Sequence, residues 1–361
     1  MEADPNIMWQ PLVGHKAQQA AVEQAFVGSR MPHAWLLTGP NGIGKAHFAK
    51  QLAAAIIAYD DTQSALFGDK PAFSMGYDET QETVNQDTAR QVIQGAHGDF
   101  LSISAVQDEK NKSGAIKVEQ IRSLIPFFSH KSATGGWRVA IIDSLDDVNV
   151  QGANAMLKIV EEPPEKTVIL LLATNAGAVL PTIRSRCRHL PFDPLSLPDQ
   201  MTILQRYLPE ADDDALQALA QFSGGSLGYA LQVSETDALD LYQASCLVLA
   251  KSDSKAHHLL EISSRWGAAK QKALLPIATQ AFSRLLSAAA LQSAAQNLTD
   301  AFLPCETELI TLLAKSAPPA TLAELHGEMH RALQQGTRAY LDMASVFLSL
   351  FDKIHSIAHQ K

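Results

Sequence analysis

The residues best suited to chemistry lie in positions 35–50, where the sequence reads WLLTGPNGIGKAHFAK. Gly39, Gly44 and Lys45 match the phosphate-binding template G-x-x-x-x-G-K-[ST]. In that template, backbone N–H groups of the loop and the N-terminus of the next helix surround phosphate oxygens, and the lysine reaches the β/γ-phosphates. The last position should carry a hydroxyl that binds Mg²⁺, but here it is Ala46. The pattern predicts a P-loop between a strand and a helix, without a working hydrolytic site. An ordinary glycine-rich turn is the alternative.

A second group of candidate residues follows the apolar run Val139–Ile142, which has the form of a buried parallel strand. The strand ends in Asp143, and in P-loop proteins such an aspartate reaches the Mg²⁺ of a bound nucleotide, often through water. Many such ATPases have a glutamate next, whereas this chain has Ser144, a poor general base at neutral pH. We expect Asp146 and Asp147 to point elsewhere if they lie beyond the strand end. A solvent-facing turn is the alternative for Asp143.

Polar and basic residues follow a third predicted strand, Thr167–Ala173. Thr174 and Asn175 come directly after it, and polar residues at the carboxyl end of a strand face the ligand crevice in open α/β sheets. Residues 181–190 are predicted to form a short helix with three arginines: Arg184, Arg186 and Arg188. Both a solvated face and a guanidinium that binds a phosphate are consistent with this cluster.

Several further elements must position these residues. Helices are predicted over residues 14–28, 118–131 and 152–162. Residues 95–104 are predicted to turn and enter a strand, and residues 105–115 to form a hairpin or loop tip. Asp60–Asp87 is predicted to be a polar loop or insertion. Glu161 and Glu162 lie in the last turn of their helix, where they oppose its dipole, and this marks a contact or site that the sequence does not identify. His97 and Asp99 are interpreted as a structural turn, not an acid–base pair.

Composition narrows the class of protein. The chain has 361 residues, enough for two or three domains, and its net charge of −9 argues against a protein that holds nucleic acid by bulk charge alone. The N-terminus has no apolar core of a signal peptide, and the longest apolar run, residues 168–173, is too short to span a membrane. The three cysteines are widely separated, which predicts neither a disulfide framework nor a CxxC zinc site. These features predict a soluble cytoplasmic protein.

The second half of the chain is predicted to be helical. Pro194 and Pro198 suit a hinge, short helices follow, and alanine- and leucine-rich stretches continue to the end. The predicted domains are an α/β P-loop domain with a parallel sheet (1–192), a small helical lid (193–237) and an all-α C-terminal domain (238–361). The histidine pairs at 257–258 and 355/359 are interpreted as surface residues, not metal ligands.

Five motifs now occur in order: the P-loop-like segment, IID at 141–143, ANAMLKIVEEPP at 153–164, ATN at 173–175 and SRC at 185–187. Together they resemble the AAA+ clamp-loader family over about the first 190 residues, and the Ser-Arg-Cys triplet is the most specific of them. The resemblance implies a pentameric ATPase assembly that loads a ring-shaped sliding clamp onto primed DNA. It further implies that Arg186 acts in trans, as an arginine finger on ATP held by a neighbouring subunit. The C-terminal domain would be an oligomerisation collar.

Three departures from the family's active motor subunits lie at separate positions. Those subunits carry Thr at position 46, Glu at 144 and a lid-helix arginine where Gly228 stands here. The resemblance therefore implies a stator that donates a finger and does not hydrolyse ATP itself. The resemblance also implies that this chain requires no cofactor. Lys45 and Asp143 are retained, which leaves weak binding of ATP or ADP open. The degenerate nucleotide site would comprise Gly39, Gly42, Gly44, Lys45, Asp143 and Asn175.

The resemblance also implies partners. These are the motor subunits and the delta subunit of the loader, with the sliding clamp and primed DNA reached through the assembly and no membrane. Zinc is not expected, because Asp60–Asp87 holds no cysteine. The main alternative is a catalytically active motor subunit of the same loader, and a more distant one is a small-molecule P-loop kinase. Ala46 and Ser144 argue against the motor, and the long helical C-terminus argues against the kinase.

Overall fold

The computed structural model describes residues 12–28, 31–59, 73, 75, 85–108, 111–130, 132, 135–268, 274–296, 302–338 and 341–360. The chain forms two compact units, Met1–Tyr207 and Leu208–Lys361, and each is described by itself. Most of the loop predicted at Asp60–Asp87, and with it the segment considered for zinc, lies outside the described residues. The finer division into three domains stays a prediction.

A five-stranded parallel sheet forms the centre of the N-terminal unit. Its strands, named in chain order, are β1 (Ala34–Thr38), β2 (Phe100–Ser104), β5 (Arg138–Asp143), β6 (Thr167–Ala173) and β7 (Arg188–Pro191). They lie in the order β2-β5-β6-β1-β7, while β3 (Val106–Asp108) and β4 (Asn111–Ala115) form a separate antiparallel hairpin. Parallel neighbours need crossover connections, which here are mostly helical. The carboxyl ends of β1, β5 and β6 therefore lie along one edge of the sheet.

Eight helices accompany the sheet among the described residues of this unit. They are α1 (Lys16–Val27), α2 (Lys45–Ala58), α3 (Gln86–Ile93), α4 (Val118–Arg122), α5 (Leu124–Ser129), α6 (Val150–Glu161), α7 (Pro181–Arg184) and α8 (Leu197–Tyr207). The single helix predicted over 118–131 is wrong, because the chain breaks at Ser123 into α4 and α5. Pro126 has no N–H to donate to the carbonyl of Arg122, so the hydrogen-bond ladder cannot run through.

The short helix predicted over residues 181–190 is also wrong in its length. It ends at Arg184, and Arg188–Pro191 form strand β7, which pairs with β1 in parallel register. β6 pairs with only one edge of β1, and the backbone donors and acceptors on the other edge are satisfied by the four-residue strand β7. This pairing is long-range and leaves no signal in local periodicity.

The hydrophobic core of the N-terminal unit lies on both faces of the sheet. Trp35 and Leu37 of β1 pack on one face with Phe48 of α2. Ala34 and Leu36 point to the other face, where Met156 of α6 lies. Successive strand residues alternate between the two faces, so a strand buried on both sides reads as a continuous apolar run. This accounts for the fully buried β1 and β6.

The C-terminal unit is helical throughout its described residues. Its helices are α9 (Asp213–Ser223), α10 (Leu227–Ser234), α11 (Ala238–Ala250), α12 (Ala256–Trp266), α13 (Leu274–Ser293), α14 (Pro304–Ser316), α15 (Pro319–Arg338) and α16 (Met343–Ala358). Of the described helices, α13 alone has the length and hydropathy of a membrane span, but half of it is buried in this unit, including Phe282. A core helix of a soluble domain passes the same test. The predicted fold class, an α/β P-loop domain with a parallel sheet followed by helices, is confirmed.

Candidate nucleotide-binding site

The P-loop connects β1 to α2 and takes a backbone path that depends on glycine. Gly39, Gly42 and Gly44 have φ angles of 152°, 77° and 99°, a region that residues with a side chain rarely adopt. A Cβ atom on Gly39 would lie 2.4 Å from the carbonyl oxygen of Phe192. Gly39 is therefore required both by its conformation and by the space around it. The loop geometry agrees with the prediction made from the template.

Lys45, the first residue of α2, is buried beneath this loop. Its Nζ donates hydrogen bonds to the carbonyl oxygens of Gly39 at 2.6 Å and Pro40 at 2.7 Å. Burial lowers the pKa of the ammonium group, while the carboxylates of Asp143 and Asp146 act in the opposite direction. The loop's own carbonyls thus hold the cation that the template assigns to nucleotide phosphates.

Asp143 is the last residue of strand β5, and its carboxyl group interacts electrostatically with Lys45. Burial raises the pKa of its carboxyl group, and the charges of Lys45 and Lys50 oppose that rise. The structure thus brings together Lys45 and Asp143, which are far apart in sequence. Their role in holding a nucleotide stays a prediction.

The Asp146 carboxylate also interacts electrostatically with Lys45, so the expectation that Asp146 points elsewhere is wrong. Its Oδ2 accepts the backbone N–H of Thr174 at 2.8 Å and the hydroxyl of Ser144 at 2.6 Å. A 3₁₀ turn, Leu145–Asp147, directs the chain back over the carboxyl end of β6, and Ser144 caps this turn by accepting the Asp146 N–H. The Ser-x-Asp spacing is a turn signal that could have revealed this.

Two histidines beside the P-loop were missed by sequence reasoning. Nε2 of His189 lies 2.6 Å from the hydroxyl of Thr38, at the end of β1. Nε2 of His15 donates to the carbonyl oxygen of Ile43 in the loop at 2.8 Å, and burial lowers the pKa of His15. Both contacts join segments distant in sequence, so no local pattern predicts them.

Asn175 follows β6 and forms a local turn. Its Oδ1 accepts the backbone N–H of Gly177 at 2.7 Å, and the side chain is exposed. Its assignment to the nucleotide site stays a prediction. Asp99 is buried and pairs with Arg138 at 3.1 Å, while Nδ1 of His97 accepts the Asp99 N–H, so these two form a structural turn as predicted.

Arg184, Arg186 and Arg188 form what we call the arginine turn, residues 184–188. Arg184 donates to the carbonyl oxygen of Ala176 at 3.2 Å, and Arg188 is exposed at the start of β7. Arg186 donates to the carbonyl oxygen of Thr182 at 2.8 Å, and its other terminal nitrogen pairs with the Glu161 carboxylate at 2.9 Å. The three guanidinium groups thus have different environments.

Glu161 is one of the two glutamates that the helix-dipole argument marked as a contact or site of unknown kind. It lies at the C-terminal end of α6, where a negative charge is unfavourable, and Arg186 supplies the compensating positive charge. The two side chains are 43% and 39% exposed, so solvent screens the pair strongly. The ion pair leaves Arg186 accessible at the surface of the unit.

His355 and His359 each contact a backbone carbonyl group that is distant in sequence. Nε2 of His355 lies 3.0 Å from the carbonyl oxygen of Lys251, and that of His359 lies 3.0 Å from the carbonyl oxygen of Leu249. Within the part of the chain that the structure describes, no three His, Cys, Asp or Glu residues are grouped so as to hold a metal ion.

Comparison with known families decides what these motifs belong to. The model of a family described as "DNA polymerase III, delta subunit" matches residues 14–196, just over half of the chain, including the P-loop, β5 and the arginine turn. The chain belongs to this family. The resemblance stated from the motifs is thereby confirmed.

Individual relatives agree with this assignment. The chain is similar to DNA polymerase III subunit delta' of Pseudomonas aeruginosa, with 31% identity over 58% of this chain and 58% of that protein. It is also similar to DNA polymerase III subunit gamma of Buchnera aphidicola, with 27% identity over 63% and 59%, and to subunit tau of Escherichia coli, with 28% identity over 63% and 33%. The matches span less than two thirds of the length of these relatives.

Solved structures give more distant similarities. A DNA polymerase III gamma subunit-related protein of Thermotoga maritima has a TM-score of 0.41 and 16% identity, covering 95% of this chain and all of that one. A RuvB variant of the same organism has a TM-score of 0.41 and 14% identity, covering 80% and 81%.

Proposed function

We propose that this chain is a delta-prime-type subunit of the clamp loader of a bacterial DNA polymerase III. In this role it is a stator that supplies Arg186 to ATP bound by a neighbouring subunit, during loading of the sliding clamp on primed DNA. The observation that carries the proposal is the position of Arg186: a half-exposed guanidinium on a turn anchored by the β1–β7 pairing. An arginine finger must protrude from its own unit, because its target phosphate lies on another chain.

We further propose that this chain does not hydrolyse ATP by itself, and the P-loop supports this. Ala46 brings a methyl group to the position of the Mg²⁺-binding hydroxyl, and that methyl group packs against the core cluster around α2. Ser144, which has no carboxylate, directly follows Asp143, and its hydroxyl caps the turn at Asp146. Two groups that catalysis needs are therefore replaced by groups with local structural contacts.

The groups that this site retains are mainly phosphate-binding groups. The loop amides and Lys45 can bind nucleotide phosphates, and Asp143 can reach a Mg²⁺ ion through water. Binding would require Lys45 to exchange two short hydrogen bonds to loop carbonyls for bonds to phosphate. We therefore propose weak ATP or ADP binding, no required cofactor and no zinc.

We also propose the partners and location that go with this role. They are the motor subunits and the delta subunit of the loader, with clamp and primed DNA contacted through the assembly, in the cytoplasm and without a membrane. The names of the relatives place those proteins in DNA polymerase III. The net charge of −9 fits a subunit whose DNA contacts depend on its assembly.

A motor subunit is the second candidate function, favoured by the retained Lys45–Asp143 pair and by the similarity to gamma and tau subunits. ATP turnover of the purified chain alone, measured beside turnover of motor subunits with and without this chain, separates the two. The stator predicts no turnover alone, co-elution with motor subunits and stimulation on mixing. Turnover at a motor-like rate by the chain alone would contradict it.

A further inference from the structure

His15, the N-cap residue of helix α1, reaches the P-loop from a distant part of the chain. Its Nε2–H donates to the carbonyl oxygen of Ile43 at 2.8 Å, and its ring lies edge-on to Phe192 with the ring centroids 4.8 Å apart. A carbonyl oxygen can only accept a hydrogen bond, so the ring nitrogen that contacts it carries the proton. Ile43 directly precedes Gly44, the N-cap residue of α2. His15 thus holds one particular peptide group of the loop.

The backbone that aims the His15 ring is strained and is held by hydrogen bonds. Gly14 and His15 have φ angles of 79° and 50°, and His15 is one of three residues other than glycine with a positive φ in the part of the chain that the structure describes. The His15 carbonyl oxygen accepts the N–H groups of Gln18 and Gln19, both at 3.0 Å. The Gly14 carbonyl oxygen accepts the side-chain amide of Gln19 at 2.7 Å. Strain of this kind persists only where its surroundings fix it, and it clusters at functional sites.

The Ile43 carbonyl and the Gly44 N–H belong to the same peptide group. A peptide group is planar and, outside proline, almost always trans, so its C=O and N–H point to opposite sides. Fixing the Ile43 carbonyl oxygen therefore also fixes the direction of the Gly44 N–H. That N–H is one of the loop amides that the phosphate-binding template directs at phosphate oxygens. Because Gly44 has no side chain, few steric contacts oppose rotation of this peptide group, and the hydrogen bond from His15 does oppose it.

The charge state of His15 distinguishes this role from direct binding of phosphate by a cation. Burial lowers the pKa of His15, and the charge of Lys45 acts in the same direction. The Ile43 carbonyl and the carboxylates of Asp199 and Asp193 act in the opposite direction. Because the pKa lies below its ordinary value, the imidazole is mainly neutral at pH 7. It orients the loop as a neutral hydrogen-bond donor.

We propose that His15 is a positioning residue of the nucleotide site, which directs the Gly44 N–H at the phosphates of ATP or ADP by holding the Ile43 carbonyl oxygen. This inference rests on the proposed function, because it assumes that the loop binds a nucleotide. In this role the His15 side chain does not touch the phosphates. The site needs a donor at the position of Nε2, and it does not need the imidazole ring itself.

Three variants separate the hydrogen bond from the packing of the ring. His15→Phe keeps an aromatic ring against Phe192 and removes the donor. His15→Gln restores a donor, because its amide nitrogen is as many bonds from Cα as Nε2 of histidine is. His15→Asn tolerates the left-handed backbone, but its amide is one bond too short to reach Ile43. His355→Phe is the matched control, since it removes a hydrogen bond from a histidine to a carbonyl group in the C-terminal unit.

The first measurement gives the direction of the Gly44 N–H without any ligand. Ile43–Gly44 is the only Ile-Gly pair in the sequence, so carbonyl-¹³C isoleucine and ¹⁵N glycine together isolate this amide in an HNCO spectrum of the full chain. Residual dipolar couplings in an aligned medium then report the orientation of the N–H bond, and circular dichroism verifies that each variant is folded. We expect the natural chain, His15→Gln and His355→Phe to share one coupling, and His15→Phe and His15→Asn to differ from it.

The second measurement tests the consequence for binding. Titrations with ADP and with adenosine, followed by NMR shifts, separate the phosphate contacts from the rest of the pocket, because adenosine has no phosphate. A hydrogen bond to a charged group is lost in His15→Phe and His15→Asn, so we expect their affinity for ADP to fall about tenfold. His15→Gln and His355→Phe should stay close to the natural chain, and the affinity for adenosine should not change in any variant.

Three results would overturn the proposal. The first is a natural Gly44 coupling in both His15→Phe and His15→Asn, and the second is a loss of ADP affinity in His15→Gln as large as that in His15→Phe. The third is an equal loss of adenosine affinity, which would show that the ring contacts the base or supports the fold. If the natural chain does not bind ADP, the nucleotide site of the proposed function fails. The Gly44 coupling then decides by itself whether His15 orients the loop.

Discussion

At the scale of single residues, the pair Glu161–Arg186 connects a sequence anomaly to the proposed function. The arginine that should reach a neighbour's phosphate is paired with a carboxylate of its own unit at 2.9 Å. A half-exposed ion pair of this kind contributes up to about 1 kcal/mol. A phosphate group can therefore compete successfully with Glu161 for the guanidinium.

We predict that Glu161→Gln releases Arg186 and lowers, by up to about fivefold, the motor-subunit concentration that gives half-maximal ATP turnover in the reconstituted loader. Glu162→Gln is the matched control, because Glu162 is adjacent, exposed and of the same charge. Turnover assays over a range of motor-subunit concentrations measure the effect. A lower turnover in Glu161→Gln than in the control would contradict the release and make Glu161 a positioning residue for Arg186.

The double variant Ala46→Thr with Ser144→Glu tests the proposal that the nucleotide site is degenerate. It restores a hydroxyl that can bind Mg²⁺ and a carboxylate that can polarise water, so we expect tighter Mg²⁺-dependent ATP binding and some hydrolysis by the isolated chain. Fluorescent-nucleotide titration with and without Mg²⁺ measures binding, and Ala46→Ser alone separates the metal ligand from the base. Equal affinity of the variant and natural chains in Mg²⁺ would mean that another feature limits binding.

At the scale of elements, the P-loop depends on glycine for its path. Gly39 has a φ of 152°, and an added Cβ would meet the Phe192 carbonyl oxygen. We predict that Gly39→Ala lowers the free energy of unfolding by about 1–3 kcal/mol. Gly98→Ala is the control, because a Cβ there meets nothing within 4 Å. Urea unfolding measures both, and equal midpoints would contradict the described loop.

Helix α2 carries a partly buried histidine, His47, that links stability to pH. Burial lowers the pKa of His47 to about 4, so the folded chain holds this imidazole neutral. As pH falls below the ordinary value near 6.5, the unfolded chain binds the proton more tightly and stability is lost. We predict a loss of up to about 2 kcal/mol between pH 7 and pH 5. His47→Gln should reduce this loss in urea unfolding at both values, and an unchanged pH dependence would contradict the assignment.

The elements also show how far sequence reasoning reaches. Local spacing predicts the P-loop, the buried strands and the position of Asp143, because each is encoded within about ten neighbouring residues. It does not predict strand β7 or the carboxylate of Asp146 over β6. These depend on pairing between distant segments, and tertiary pairing overrides local propensity.

At the scale of the whole molecule, the family assignment and the residues at positions 46 and 144 are consistent with the proposed stator. The N-terminal unit carries the P-loop and the arginine turn, and the C-terminal unit is helical. The chain has a net charge of −9 and a P-loop whose lysine is held by its own carbonyls. Both features suit a subunit whose contribution to ATP hydrolysis is made at a neighbour's site.

The most direct test of this account is ATP turnover by a reconstituted loader, with clamp and primed DNA, containing Arg186→Ala. Co-elution verifies assembly, Arg184→Ala is the control two residues away, and Arg186→Lys separates charge from the forked geometry of arginine. With assembly intact, we predict that Arg186→Ala lowers turnover at the neighbouring site by about 10³-fold or more and that Arg184→Ala leaves it nearly unchanged. Unchanged turnover in Arg186→Ala would show that the arginine is structural and that this chain acts only as a scaffold.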